Sequence, residues 1–487
     1  MLRKSATALA AALLTVLAIP ATAVAGSTDP TPGTDPTPGA TDPTPGPYDA
    51  GTSDPVRDSY YPAHGSAGID VLHYGLDLAW QPAKKLLTGT ATLTIRPTAD
   101  AKSFQLDLGA PLRVTQLTVD GTPAKRTHDG DHLVVARTVV ADTDITVQIA
   151  YQGTPKAATA PTDRSDFNGL GWHATKTGAV WAMQEPFGAF TWYPVNDTPS
   201  DKALYDVRIN APKGMVGVSN GTMTSRTTTK IGRVVSTFTN TDPMASYLVT
   251  VAIGDYRRRE QTGPHGLPLT YWVPRAHPEY LKPLLRTPAT LRWLEGQLGP
   301  YPFTSAGVVV IPTSSAMETQ TMVTLGGRYY GYGGRSVQET VAHELAHAWY
   351  GDTVTPKDWR DLWMNEGFAM YVQARFSTHM GWRTWADWNR EFTQNDQYWR
   401  DIYGAPGRYR KQRFGDINVY YCTARMLIRL RSMLGASTFD SLLKEWPAEM
   451  KDRNKTRGGY IGWVNQKTGK DLTDFFTTWL NSAKSPA

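Results

Sequence analysis

The sequence predicts a multidomain α+β protein in which an all-β N-terminal part precedes a mostly helical one. Three observations carry that expectation. Between about Asp70 and Tyr256, apolar residues alternate with polar ones, as in Ala91, Leu93 and Ile95, then Ile145, Val147, Ile149 and Tyr151, then Tyr205, Val207 and Ile209. That is the two-residue period of a strand with one buried face. After about Arg259 the spacing becomes helical, beginning with Leu291, Leu294 and Leu298 and a stop at Gly299-Pro300. The length of 487 residues accommodates two or three hydrophobic cores.

Taken in order, the chain opens with Arg3 and Lys4, an apolar run over residues 5–19, and Ala23-Val24-Ala25. A charged start, a short apolar core and a small-x-small site read as a signal peptide over residues 1–25 and a secreted, extracellular protein. The alternative is an uncleaved anchor, against which the short core and Pro20 stand. No later stretch is apolar enough to span a membrane in the mature chain. The hexapeptide Thr28–Gly33 recurs at Thr34–Gly39 and Thr41–Gly46, and Pro and Gly at that density form an extended linker, assigned to 26–60. The β domain follows over 61–257, its strands punctuated by Asp120-Gly121 and Asn220-Gly221. In the remaining 258–487, helical spacing recurs at 336–350, 365–376, 420–434, 439–446 and 472–480. A short strand, Val308–Ile311, leads into a loop at 312–320.

A formal charge of +6 is spread among interspersed acids and bases, and its densest run is Arg257–Arg259. That run is too short for a nucleic-acid tract, so nucleic acid is not an expected partner. Cys422 is the sole cysteine, which excludes an intramolecular disulfide; a small buried helix residue is the expected role.

The most informative segment is His343-Glu344-Leu345-Ala346-His347. Residues four apart share one helix face, so both imidazoles can reach one metal ion. Val337, Val341, Leu345 and Trp349 repeat at helical spacing and support the helix independently. Glu344, beside the first imidazole, is placed to take a proton from the attacking water. A metzincin would require glycine at 350 and histidine at 353, where Tyr350 and Thr353 stand. Downstream, Glu366 lies in Trp363-Met364-Asn365-Glu366-Gly367-Phe368-Ala369, and a second helix packed on the first would bring it to the metal. Two imidazoles and one carboxylate leave a position open, the arrangement of a catalytic zinc. Such donors also accept other divalent ions.

These segments resemble the aminopeptidase N family of gluzincin zinc metallopeptidases. The resemblance extends to Trp349–Thr355 after the histidines, to Asp361–Gly367 around the third ligand, and to Gly299-Pro300-Tyr301-Pro302-Phe303. In the β half it includes Asp197-Thr198-Pro199 with Lys202-Ala203, and Met244–Leu248. It covers roughly Asp70 to Leu480. It implies a saddle-like β domain, a thermolysin-like catalytic domain with closing C-terminal helices, and one zinc ion. About fifty residues follow Gly435, so the large helical cover of longer members is expected to be missing and the cleft open.

The resemblance also implies roles. Ser315-Ala316-Met317-Glu318-Thr319 stands where the family has Gly-x-Met-Glu-Asn, with Ala316 and Met317 along the substrate and Glu318 on its α-amine. Glu185 aligns with the second amine anchor, Gln184 being an adjacent alternative. Tyr420 aligns with the tyrosine that faces the oxyanion, and Tyr421 is possible if the helix begins one residue later. The expected function is a zinc-dependent aminopeptidase acting on peptides with a free N-terminus, with Glu344 as base. An endopeptidase with the same metal site and a non-catalytic peptide-binding relative are the alternatives. Oligomeric state and side-chain preference are not readable.

Overall fold

The computed structural model describes residues 46–167 and 169–487; the signal segment 1–25 and the linker repeats through residue 45 lie outside the described residues. An eight-stranded sheet dominates the first half. At its centre Ile69–Gln81 pairs antiparallel with Leu86–Pro97 and parallel with Lys202–Ala211. The alternation read from the sequence sets its faces: Leu87, Ala91, Leu93 and Ile95 are buried while the threonines between them face outward. A four-stranded sheet built on Val180–Met183 and a three-stranded one on His132–Ala136 complete the β part.

The chain then passes at Asp255 into a five-stranded sheet, because Tyr256–Thr262 pairs with Pro268–Pro274, two residues before the expected 257/258 boundary. The short strand Ala316–Met317 forms one edge of that sheet, antiparallel to Val323–Gly326. Helices follow, and one continuous apolar core runs from the β sheets into them. Among the described residues no helix is long and apolar enough to cross a membrane.

One expectation is corrected and one element is added. The linker assignment to residue 60 fails over its last part, where the chain straps both halves. Val56 donates its amide to Ser200 Oγ at 2.9 Å, Trp359 donates to Asp58 Oδ2 at 2.7 Å, and the Tyr60 hydroxyl donates to the Tyr409 carbonyl at 2.9 Å. Val56, Asp58 and Tyr60 in this stretch serve docking rather than spacing. The helix Trp385–Tyr403, capped by the Thr384 side chain on the Asp387 amide, was not among the expected elements, although Trp388, Phe392 and Trp399 bury one stripe of it.

Three helices position the cleft. Gly334–Ala346 buries Val337, Val341 and Leu345. Trp363–His379 is buried on nearly every side, as a central helix should be. Ile417–Leu434 packs against it at a point fixed by Gly367, where a Cβ would stand 2.1 Å from Thr423 Cγ2. Only glycine permits that approach.

Candidate metal centre and substrate cleft

His343 and Glu344 sit in the last turn of the first of these helices, and His347 follows directly as its cap. Beyond it the chain leaves helical geometry at Tyr350 and Gly351. Gly351 has φ of 133°, and a Cβ there would lie 3.3 Å from His347 Nδ1, so glycine is required on both counts. The turn brings the Tyr350 carbonyl 3.0 Å from His347 Nδ1. That contact fixes the imidazole proton on Nδ1 and leaves Nε2 free as a donor atom. The turn is itself held by the β half: Lys202 Nζ donates to the carbonyls of Asp352 and Thr353 at 2.7 and 2.8 Å, and the Tyr247 hydroxyl donates to that of Gly351 at 3.0 Å. Asn365, next to Glu366, donates to the same Tyr247 oxygen at 3.3 Å.

Glu366, in the first turn of the second helix, brings Oε2 to 3.2 Å from His343 Nε2 and 3.4 Å from His347 Nε2. Donors bound at about 2.0–2.1 Å at the corners of a tetrahedron stand about 3.3–3.4 Å apart. The three residues therefore fit one zinc ion in both chemistry and spacing. Burial works against ionisation of Glu366, yet His347 and His343 hold its carboxyl well below the usual range. Burial likewise works against a charged His347, but Glu318 and Glu366 push its pKa well above the usual imidazole range, an attraction that a divalent ion would take over.

Opposite the triad, Glu344 and Glu318 each place a carboxylate oxygen within 4.8 Å of the other and of a His347 ring nitrogen. Burial, only partly offset by His347 and reinforced by Glu318, pushes the Glu344 carboxyl well up. Burial and then repulsion from Glu318 do the same to Glu185, and burial raises Glu318. Glu185 and Glu318 each keep one buried carboxylate oxygen with no hydrogen-bond partner among the described residues. Both line the same cavity of about 130 Å³, together with Ala316, Glu344 and Tyr420.

The hydroxyl of Tyr420 donates to Glu366 Oε1 at 2.8 Å, whereas Tyr421 packs its ring against Phe392 and Trp399. Both tyrosines line the cavity, and it is the Tyr420 hydroxyl that bonds a metal-donor residue. Gln184 is not brought to the cleft. It is fully buried in the β half, where its amide donates to the carbonyls of Ser246 and Val249 and its oxygen accepts from Trp192. Met317 is buried and also absent from the cavity wall, since Ala316 and Met317 point to opposite faces of their strand. Residues without a signal in the sequence, Arg164, Phe167, Tyr329, Thr340, Met370 and Gln373, also line the wall.

An HExxH helix, a glutamate on the following helix and a fold with a β domain in front define the site as that of a gluzincin-type metallopeptidase. Comparison with known proteins agrees. Residues 71–248 match the Peptidase M1 N-terminal domain and residues 284–479 match the Peptidase family M1 domain. The chain belongs to the M1 family of zinc metallopeptidases. It is similar to an M1 zinc metallopeptidase from Deinococcus radiodurans, with 27% identity, a TM-score of 0.78, and coverage of 89% of this chain and 98% of that one. A mutant of that enzyme, bound to a Tyr-Ser-Ala substrate, superposes with a TM-score of 0.79 at 26% identity, covering 89% of this chain and 99% of that one. Mouse aminopeptidase B is 28% identical over 348 residues, 64% of this chain and 50% of that protein. The chain thus spans about half the length of this curated relative.

Proposed function

We propose that the protein is a zinc-dependent aminopeptidase that removes N-terminal residues from peptides. The observation that carries this reading is the pair of buried, incompletely satisfied carboxylates, Glu185 and Glu318, beside the metal donors. A buried carboxylate with a vacant acceptor is costly unless it meets a cation. An α-ammonium supplies charge and donors together. Its distance from the donor set then dictates which peptide bond is presented.

In this reading His343, His347 and Glu366 hold the ion. When bound, zinc supplies a Lewis acid that polarises the scissile carbonyl and acidifies the attacking water. Glu318 and Glu185 fix the substrate amine. Glu344, whose raised carboxyl makes it a capable proton carrier, takes the proton of the attacking water and passes it to the leaving amine. The Tyr420 hydroxyl turns its proton from Glu366 to the carbonyl oxygen as negative charge grows there. The peptide bound to the Deinococcus relative supports peptides as the substrate class. Secretion remains a proposal resting on Arg3, Lys4, the apolar run and Ala23-Val24-Ala25; the N-terminal sequence of protein recovered from culture medium tests it.

The test of the activity is a peptide panel, each member with a free and an acetylated N-terminus, assayed with and without a zinc chelator. Stepwise N-terminal removal, abolished by acetylation and by chelator, is expected. Internal cleavage that tolerates acetylation would leave the metal site standing and overturn the amine-anchor roles, giving an endopeptidase instead.

A further inference from the structure

Arg164 comes from the β half, in the segment between the strands Ile145–Gly153 and Gly171–Ala174. It reaches across to the helical half. Its Nε and Nη2 donate to both oxygens of Asp166 at 3.1 and 2.7 Å, and Asp166 Oδ2 also accepts from Ser315 Oγ at 3.2 Å. Nη1 donates to the Gly415 carbonyl at 2.5 Å and to the Tyr420 hydroxyl at 3.2 Å. A Cβ at position 415 would stand 3.1 Å from that Nη1, so glycine there makes room for the guanidinium. Phe167 lies under the guanidinium, with its ring centroid 4.6 Å away.

These contacts decide between two uses of a cation on the cavity wall. A guanidinium meant for a substrate carboxylate would present a free fork. Here the fork is taken by Asp166, and the remaining arm serves Gly415 and Tyr420. What is left is its effect on Tyr420. A phenol has one proton and can accept through its lone pairs. With an Arg164 N–H directed at the Tyr420 oxygen, that proton has to point away from the guanidinium, into the cleft, where it now meets Glu366. A fixed positive charge beside the phenol also strengthens the hydrogen bond it donates.

We propose that Arg164 is a positioning residue for the reaction: it holds the Tyr420 hydroxyl as a proton donor aimed into the cleft, and Asp166 holds Arg164 in place. This rests on the reading of Tyr420 as the donor to the carbonyl oxygen. Because the interaction matters most when charge develops on that oxygen, its loss should appear in kcat rather than KM.

The test is a double-mutant cycle on the full, zinc-loaded chain with an aminoacyl-4-nitroanilide. Arg164→Met is expected to lower kcat roughly 30- to 100-fold, with KM changed less than about threefold and zinc content unaltered. Arg164→Lys recovers part of the loss, and Asp166→Asn, which leaves the cation present but unheld, loses about tenfold. In a Tyr420→Phe background neither Arg164→Met nor Asp166→Asn should cost more than about twofold further. Full kcat in Arg164→Met, a loss confined to KM, or undiminished losses in the Tyr420→Phe background would overturn the inference while leaving Tyr420 its role. A Tyr420→Phe enzyme with unchanged kcat would instead remove the reading on which it rests.

Discussion

The two sides of the cleft differ in how their buried carboxylates are engaged. On the metal side the carboxylate is fully engaged: Glu366 meets both imidazoles and the Tyr420 hydroxyl, His347 Nδ1 meets the Tyr350 carbonyl, and the turn carrying these contacts is fastened by Lys202 and Tyr247. His343 Nδ1 is left without a partner among the described residues. On the amine side, Glu185 and Glu318 are as deeply buried, yet each has an oxygen with nothing to accept from among the described residues. A carboxylate engaged at both oxygens holds a fixed component, and one left open is finished by whatever arrives. The contrast separates what the protein keeps from what it turns over.

The largest effect that would sharpen this contrast comes from Glu344→Gln, which removes the proton carrier and leaves both sides otherwise intact. We expect kcat to fall by about 10³- to 10⁴-fold with zinc content unchanged by metal analysis; a nearly active variant would break the assignment of the base. Next, Glu318→Gln strikes the incomplete side. It should lower kcat/KM on free-N-terminus peptides about 100-fold, the scale of losing one partner of a buried charge pair, and weaken inhibition by a free amino acid in parallel, while inhibition by its N-acetylated counterpart does not change. Equal losses of inhibition by both would mean that Glu318 does not read the amine.

A third, smaller effect is on pH. Burial raises Glu318 and Glu185, so their carboxylates take up protons at a higher pH than ordinary ones. Acidification therefore removes the negative charge that the ammonium needs. Substrate affinity should weaken by up to about tenfold per pH unit on the acid side, and again on the alkaline side as the α-amine loses its own proton near 8. Inhibition constants of a free amino acid measured across pH would show this, and a flat acid limb would contradict it. The smallest effect expected is that of Tyr247→Phe on the complete side: it deletes the hydroxyl that joins Asn365 to the Gly351 carbonyl and should weaken zinc about tenfold in a chelator competition.

How much of this was legible beforehand follows the same division. His343, Glu344 and His347 lie within five residues, and helical spacing alone puts them together; Glu366 follows nineteen residues on, in the next long helix. Strand alternation around Leu93 and Val147 likewise announced the β half. Tyr420 needed a family register, since sequence spacing does not tell it from Tyr421. Gln184 and Glu185 stand just past the strand Val180–Met183, where no alternation tells which of two neighbours turns to the cleft. Arg164 gave no signal at all: it lies in an irregular segment, and its partners Gly415 and Tyr420 are about 250 positions away. The same holds for Asp58 and Tyr60, whose composition imitates a linker while their partners lie at Trp359 and Tyr409. Periodicity reports neighbours along the chain, and these contacts are made only once the two halves close.

The irregular turn after His347 carries a mechanical consequence. His347 is gripped from behind by a carbonyl of a loop whose next three carbonyls are bound by two β-domain side chains, Tyr247 and Lys202. An ion that touches only the helical half is therefore coupled to the sheet through a single rigid bend. A bound ion would then act as a staple between domains, its binding free energy adding to the stability of the closed chain.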